Sequence, residues 1–169
     1  MKVIFLDVDG VLNNRNNRSG VTFNTENIAA LNELVRRTRS YLVLSSTMRH
    51  MIGVKYLMDL SAFSYLLRTH GYLGSTLAGY TPHDSKELPY GKRALQCLAW
   101  LEEHPHFTKT LALDDNHFDF EEANFPHLKV DPHCGLTMLN VEEAEDLFRS
   151  DCTNYPFKVQ SKVPLKIYG

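Results

Sequence analysis

A chain of 169 residues, 43% hydrophobic and 22% charged, has the size and composition of one globular domain with a core of its own. A formal charge of −2 excludes any global attraction to nucleic acid or to an anionic membrane, so a polyanion must be held by a local patch. No apolar run reaches the ~18 residues of a membrane helix, and no basic-then-apolar leader precedes the first strand; the expected address is the cytoplasm, with no membrane partner. Cys97, Cys134 and Cys152 are scattered, without a CxxC pair, and read as reduced thiols.

Residues 1–6 read as a strand of β-branched and aromatic residues, apolar after Lys2. The strand runs straight into Asp7, Val8, Asp9 and Gly10, a buried run ending in a charged turn. Two carboxylates so close need cationic company, a divalent metal or a basic side chain, because like charges push one pKa upward. Residues 13–24 are rich in Asn and carry Arg15, Arg18 and Gly20; this composition predicts a flap-like surface loop. Asn24 or Thr25 can cap a helix whose apolar positions Ile28, Leu31, Leu34 and Val35 follow helical spacing, and Arg36, Arg37 and Arg39 suit its C-terminus.

Residues 41–44 predict a second parallel strand, closed by Ser45, Ser46 and Thr47. The stretch 48–69 predicts helix in two pieces, broken around Gly53 and 59–61, with Leu57, Leu60, Phe63, Leu66 and Leu67 inward. Gly and Pro punctuation at 71–82 predicts a loop with at most a short strand, and 83–91 is polar loop. An amphipathic helix follows over 92–104, with Leu95, Leu98, Ala99, Trp100 and Leu101 apolar, stopped by Pro105. Strands are predicted at 110–113, ending in Asp114 and Asp115, and at 128–130, and a last helix at 141–148. Residues 153–169 form a tail, read as an added edge strand or a packed arm. Alternating strand and helix predicts an α/β domain, a doubly wound parallel sheet with helices on both faces, over 1–169.

Chemistry-bearing residues thus close three predicted strands at one sheet edge: Asp7 and Asp9, then Ser45, then Asp114 and Asp115. In this order, with a basic residue at a helix start before the last pair, they resemble the four motifs of the haloacid dehalogenase (HAD) superfamily over about 2–139. The resemblance implies a HAD-like Rossmannoid fold with little or no cap, and a phosphatase. By it, Asp7 is the nucleophile that forms an aspartyl phosphate, and Asp9 is the general acid/base. An anionic nucleophile attacks a phosphoryl group only when cations screen the charge, so Mg²⁺ is the expected cofactor. Its ligands, by the resemblance, are Asp7, Asp114 and the carbonyl of Asp9, with Asp115 close by. Ser45 is then expected to hold a phosphoryl oxygen, with Gly10 and Ser46 at the substrate. Lys92 is the first choice for the remaining cation, and Lys86 and Arg93 are its rivals.

A finer likeness rests on Leu44, Ser45, Ser46, Thr47, Met48 and Arg49, on Gly79, Tyr80, Thr81 and Pro82, on 92–101, and on 130–137. These stretches are similar to the HAD domain associated with Swiss Army Knife RNA repair proteins, although Met48 stands where that pattern has Trp and 94–96 lacks its acidic residue. This points toward nucleic acid repair, with RNA or DNA ends as the phosphorylated substrate, Arg49 reaching a phosphate or base, and Arg15 and Arg18 gripping from the flap. Plainer readings stand beside these. Ser45 can cap a helix, Lys92 and the flap arginines can be solvated, and Arg49 can make a surface ion pair. A small-metabolite phosphatase, or an idle HAD fold used as a binding or regulatory module, are the alternative functions.

Overall fold

The computed structural model describes residues 1–14, 22–51, 59–75 and 77–157. Five parallel strands, β1 (Lys2–Leu6), β2 (Tyr41–Leu44), β3 (Gly79–Tyr80), β4 (Lys109–Asp114) and β5 (His127–Lys129), form one sheet in the order β3-β2-β1-β4-β5. The helices are α1 (Thr25–Thr38), α2 (Leu60–Thr69), α3 (Arg93–Glu103) and α4 (Met138–Arg149). The sheet grows outward from β1 to β2 and β3, then returns to place β4 on the other flank of β1. That reversal puts a crevice between the carboxyl ends of β1 and β4, where ligands bind in open α/β sheets.

Side chains alternate across β1 and sort the core into two layers. Ile4 and Leu6 join a cluster with Ile28, Leu31, Leu34, Phe63, Leu67, Val141 and Phe148, drawn from α1, α2 and α4. Val3 and Phe5 join the other, with Ala94, Cys97, Trp100 and Leu101 of α3 and with Phe120 and Phe125. Helices thus cover both faces, as the sequence predicts. The Phe5 ring meets Trp100 edge-on at 5.6 Å, which makes this tryptophan core. Among the described residues no helix is long and apolar enough to cross a membrane.

Several element ends are explained locally. Asp59 caps α2 by accepting from the Ala62 amide at 2.6 Å, and Thr137 with Asn140 makes a capping box that starts α4 three residues before the predicted start. Thr47–Met51 is a 3₁₀ turn, and the predicted inward Leu57 lies outside the described residues, as do Arg15 and Arg18 of the flap. At the start of the tail the Tyr155 amide donates to the Thr108 carbonyl at 2.8 Å, Asn154 forms a β-bridge with Lys109, and Tyr155 and Phe157 lie on the second core layer. Its remainder, 158–169, is outside the described residues.

The helix α3 buries Trp100 and Leu101 as its spacing predicts, but its inward face also takes in polar residues. In α3 the buried positions include Arg93 and Gln96, while Leu95 is 39% exposed. Gln96 turns inward to accept from Arg49 and donate to Asp84, and Arg93 turns inward toward Asp114.

Candidate active site

Asp7 follows β1 directly, and its amide donates to the Leu113 carbonyl at 2.9 Å, which extends the β1–β4 pairing to the edge of the crevice. Asp114 ends β4. Carboxylate oxygens of Asp7, Asp114 and Asp115 lie within 4.8 Å of one another. Gly10 makes that approach possible: it adopts φ +81°, and a Cβ there would sit 2.5 Å from Asp115 Oδ2. The Gly10 amide is already donated to Asn13 Oδ1 at 2.9 Å, so this glycine acts through its missing side chain and its turn geometry. Asn13 also donates from Nδ2 to Asp9 Oδ1 at 2.9 Å and so pins the exposed Asp9.

The electrostatics are those of crowded, buried acids. Burial pushes the Asp7 carboxyl up to about 6, against the pull of Arg93 and of hydrogen bonds from the Val8 backbone and Ser46. Burial and the neighbouring Asp7 charge push Asp114 further, to about 8. Asp114 Oδ1 accepts from the Asn116 amide at 2.9 Å, but the buried Oδ2 has no hydrogen-bond partner and sees Arg93 Nε only at 4.0 Å. An orphaned buried carboxylate oxygen beside two further carboxylates is the donor set of a hard divalent cation such as Mg²⁺.

Two donors are orphaned in the same way. Ser45 Oγ and Arg93 Nη1 are buried and lack a hydrogen-bond partner. Ser45 is fixed by its own amide, which donates to the Leu6 carbonyl at 2.9 Å, and Arg93 opens α3 with only 4% of its surface exposed. The start of α3 is held by Asp119, whose Oδ1 accepts from the Ala94 amide at 2.8 Å. This ties the loop after β4 to the helix carrying Arg93.

Lys92, the first choice from sequence, is the residue before that helix; its Nζ is 3.0 Å from Glu122 and its side chain is 41% exposed. The cation beside Asp114 is its rival Arg93. A helix-start pair of Lys and Arg gives no sequence signal for which one turns inward; the burial of Arg93 decides it. Lys86 lies in the exposed loop before α3.

Arg49 does not reach into the crevice either. It is 1% exposed, and each N–H of its guanidinium has a partner: Nε donates to the Pro82 carbonyl at 3.1 Å, Nη1 to the carbonyls of Ser45 at 3.1 Å and Ser46 at 2.9 Å, and Nη2 to Asp84 at 2.8 Å and Gln96 Oε1 at 2.9 Å. It is a clamp on the turn that presents Ser45 and Ser46. Asp84 also receives Gln96 Nε2 at 2.8 Å and faces His50 Nε2 at 3.1 Å. Sequence reasoning missed Asn13, Asp84, Gln96 and Asp119. The Asn13 side chain, three residues past Gly10, follows a turn pattern that sequence can offer; the other three act across long separations that leave no local pattern.

A family model described as the HAD domain in Swiss Army Knife RNA repair proteins matches residues 3–141. No curated protein and no solved structure matches the chain.

Proposed function

Because the chain belongs to the HAD domains of Swiss Army Knife RNA repair proteins, we propose that it is a Mg²⁺-dependent phosphatase that removes phosphate from a nucleotide or polynucleotide end. The observation that carries this reading is the cluster of Asp7, Asp114 and Asp115 beside the orphaned donors of Ser45 and Arg93, at the reversal point of the sheet. Asp7 and Asp114, with the carbonyl of Asp9 and with Asp115 nearby, hold the cation in this reading. Bound Mg²⁺ supplies the positive charge that keeps Asp7 ionised and offsets the phosphoryl oxygens.

A carboxylate oxygen of Asp7 attacks phosphorus as the bond to the leaving oxygen breaks, and Asp9 gives that oxygen its proton. Asp9 then takes a proton from the water that attacks the aspartyl phosphate; the new P–O bond displaces the Asp7 carboxylate, and phosphate leaves. Ser45 Oγ and Arg93 Nη1 donate to phosphoryl oxygens throughout. Burial makes those donors stronger than they are in water, because little solvent competes for them. Ser46 keeps its hydrogen bond to Asp7 and aims the nucleophile. Three unpaired thiols suit a reducing cytoplasm.

Phosphate release with Mg²⁺ and with EDTA, measured for the wild type and for Asp7→Asn, tests the chemistry. Metal-dependent release is expected in the wild type alone. Comparing a 3′-phosphorylated oligonucleotide, a 5′-phosphorylated one and mononucleotides tests the substrate. Equal or faster turnover of mononucleotides overturns the polynucleotide reading.

A further inference from the structure

The loop that leaves the acidic cluster carries an aromatic and basic rim that the chemistry just described does not use. Three residues past Asp115, Phe118 holds φ +40°, a left-handed backbone conformation rare for a bulky side chain and costly unless its surroundings enforce it. The enforcing contacts are visible. Asp119, the next residue, is 3% exposed and caps α3, and the Arg93 guanidinium lies 4.9 Å from the Phe118 ring centroid. The Phe118 ring therefore sits against the same arginine that faces Asp114.

Tyr90, 68% exposed, meets Phe118 edge-to-face at 6.2 Å from the loop before α3. On the other side of Phe118 in sequence, the exposed His117 accepts from Lys129 Nζ at 2.8 Å. Lys129 closes β5 in register with Asp114 and so stands at the level of the acids. Glu122, a further acidic residue of this loop, is paired with Lys92. Glu121 lines a separate groove with Phe125 and Asn154.

We infer that Tyr90, Phe118, His117 and Lys129 form a subsite for a single-stranded nucleic-acid segment whose terminal phosphate lies at Asp7, with nucleobases stacking on Tyr90 and Phe118 and the backbone held by Lys129 and His117. Aromatic faces interleaved with cations are what sequence-tolerant single-strand binding requires. A rim of this kind also supplies the local attraction that a chain of net charge −2 lacks overall. The occupant is favoured over an apolar partner because cations flank the rings and because the rim is continuous, through Arg93, with the crevice. The inference rests on the phosphatase reading for where the strand ends.

The test compares wild type, Tyr90→Ala, Tyr90→Phe and Lys129→Ala on two substrates: a short single-stranded oligonucleotide with a terminal phosphate, and glycerol phosphate, which has no ring to stack. Tyr90→Ala is expected to raise KM for the oligonucleotide at least about fivefold, with kcat and the glycerol phosphate kinetics unchanged within twofold, and Tyr90→Phe is expected to restore it. Lys129→Ala is expected to raise the same KM and to flatten its dependence on salt. Equal effects on both substrates, or none on either, overturn the subsite. Should the wild type release no phosphate from any substrate, the phosphatase reading fails by itself. The rim is then judged by fluorescence anisotropy of a labelled single strand: weaker binding by Tyr90→Ala and Lys129→Ala supports it, and equal binding overturns it.

Discussion

Two buried arginines, Arg49 after β2 and Arg93 at the start of α3, are treated in opposite ways. Arg49 is 1% exposed and every N–H it owns has a partner within the chain. Arg93 is 4% exposed, leaves Nη1 without a partner, and stands 4.0 Å from an equally unpartnered Asp114 oxygen. A satisfied buried network fixes shape, whereas an unpartnered buried polar group carries a desolvation cost that no bond within the chain offsets. Arg49 braces the serine turn, and Arg93 is the one to which the proposed function gives a role, although both are buried cations.

The sharpest break in this comparison comes from stability measured on both sides. Arg49→Met leaves the carbonyls of Ser45, Ser46 and Pro82, and the side chains of Asp84 and Gln96, without their donor. It is expected to cost about 3–5 kcal/mol in chemical denaturation and to abolish phosphate release with it. Asp114→Asn removes a carboxyl whose charged form burial opposes, and is expected to raise the melting temperature of the metal-free protein by a few degrees above about pH 8, where the wild-type carboxyl is ionised, while ending catalysis. An Arg49 variant as stable as wild type would place that residue with the site and dissolve the contrast.

A gentler test titrates the acids. Asp7 and Asp114 bind protons in the folded protein up to about 6 and about 8, above the usual carboxylate range. Between about pH 4 and pH 8 the folded state therefore holds more protons than the unfolded one, and metal-free stability falls as pH rises. Mg²⁺ displaces those protons, so its stabilising effect is expected to grow with pH over the same window. A melting temperature that ignores Mg²⁺ at pH 8 would remove the cation from the crevice.

The smallest effects separate neighbours at the start of α3. Arg93→Gln is expected to reduce kcat by about 10²-fold, the loss of one preorganised donor to a charge that develops in the transition state. Lys92→Ala gives up only an exposed pair with Glu122 and is expected to leave turnover within about twofold. Reversed outcomes would return the catalytic cation to Lys92.

The strand-end acids were legible in the sequence because an apolar run followed by DxDG, and another followed by DD, states both burial and charge within a few residues. Sheet class followed from the same alternation of runs, and β2 was found at its full length over Tyr41–Leu44. The inward choice between Lys92 and Arg93 was not legible. Neither was the clamp role of Arg49, whose partners Asp84 and Gln96 lie 35 and 47 residues away. Hydrogen bonds of that span depend on how β2 and α3 pack, which no local pattern records. Leu95 misled in the other direction: helical spacing marks it as core, yet the buried face of α3 was given to Arg93 and Gln96.

Gln96 has a mechanical consequence. It lies one turn along α3 from Arg93, and through Oε1 it holds the guanidinium that grips the Ser45 and Ser46 carbonyls. The turn that presents Ser45 and Ser46 is thus tied, through Arg49 and Gln96, to the helix that carries Arg93, so the two strand ends and the start of α3 share one hydrogen-bonded frame.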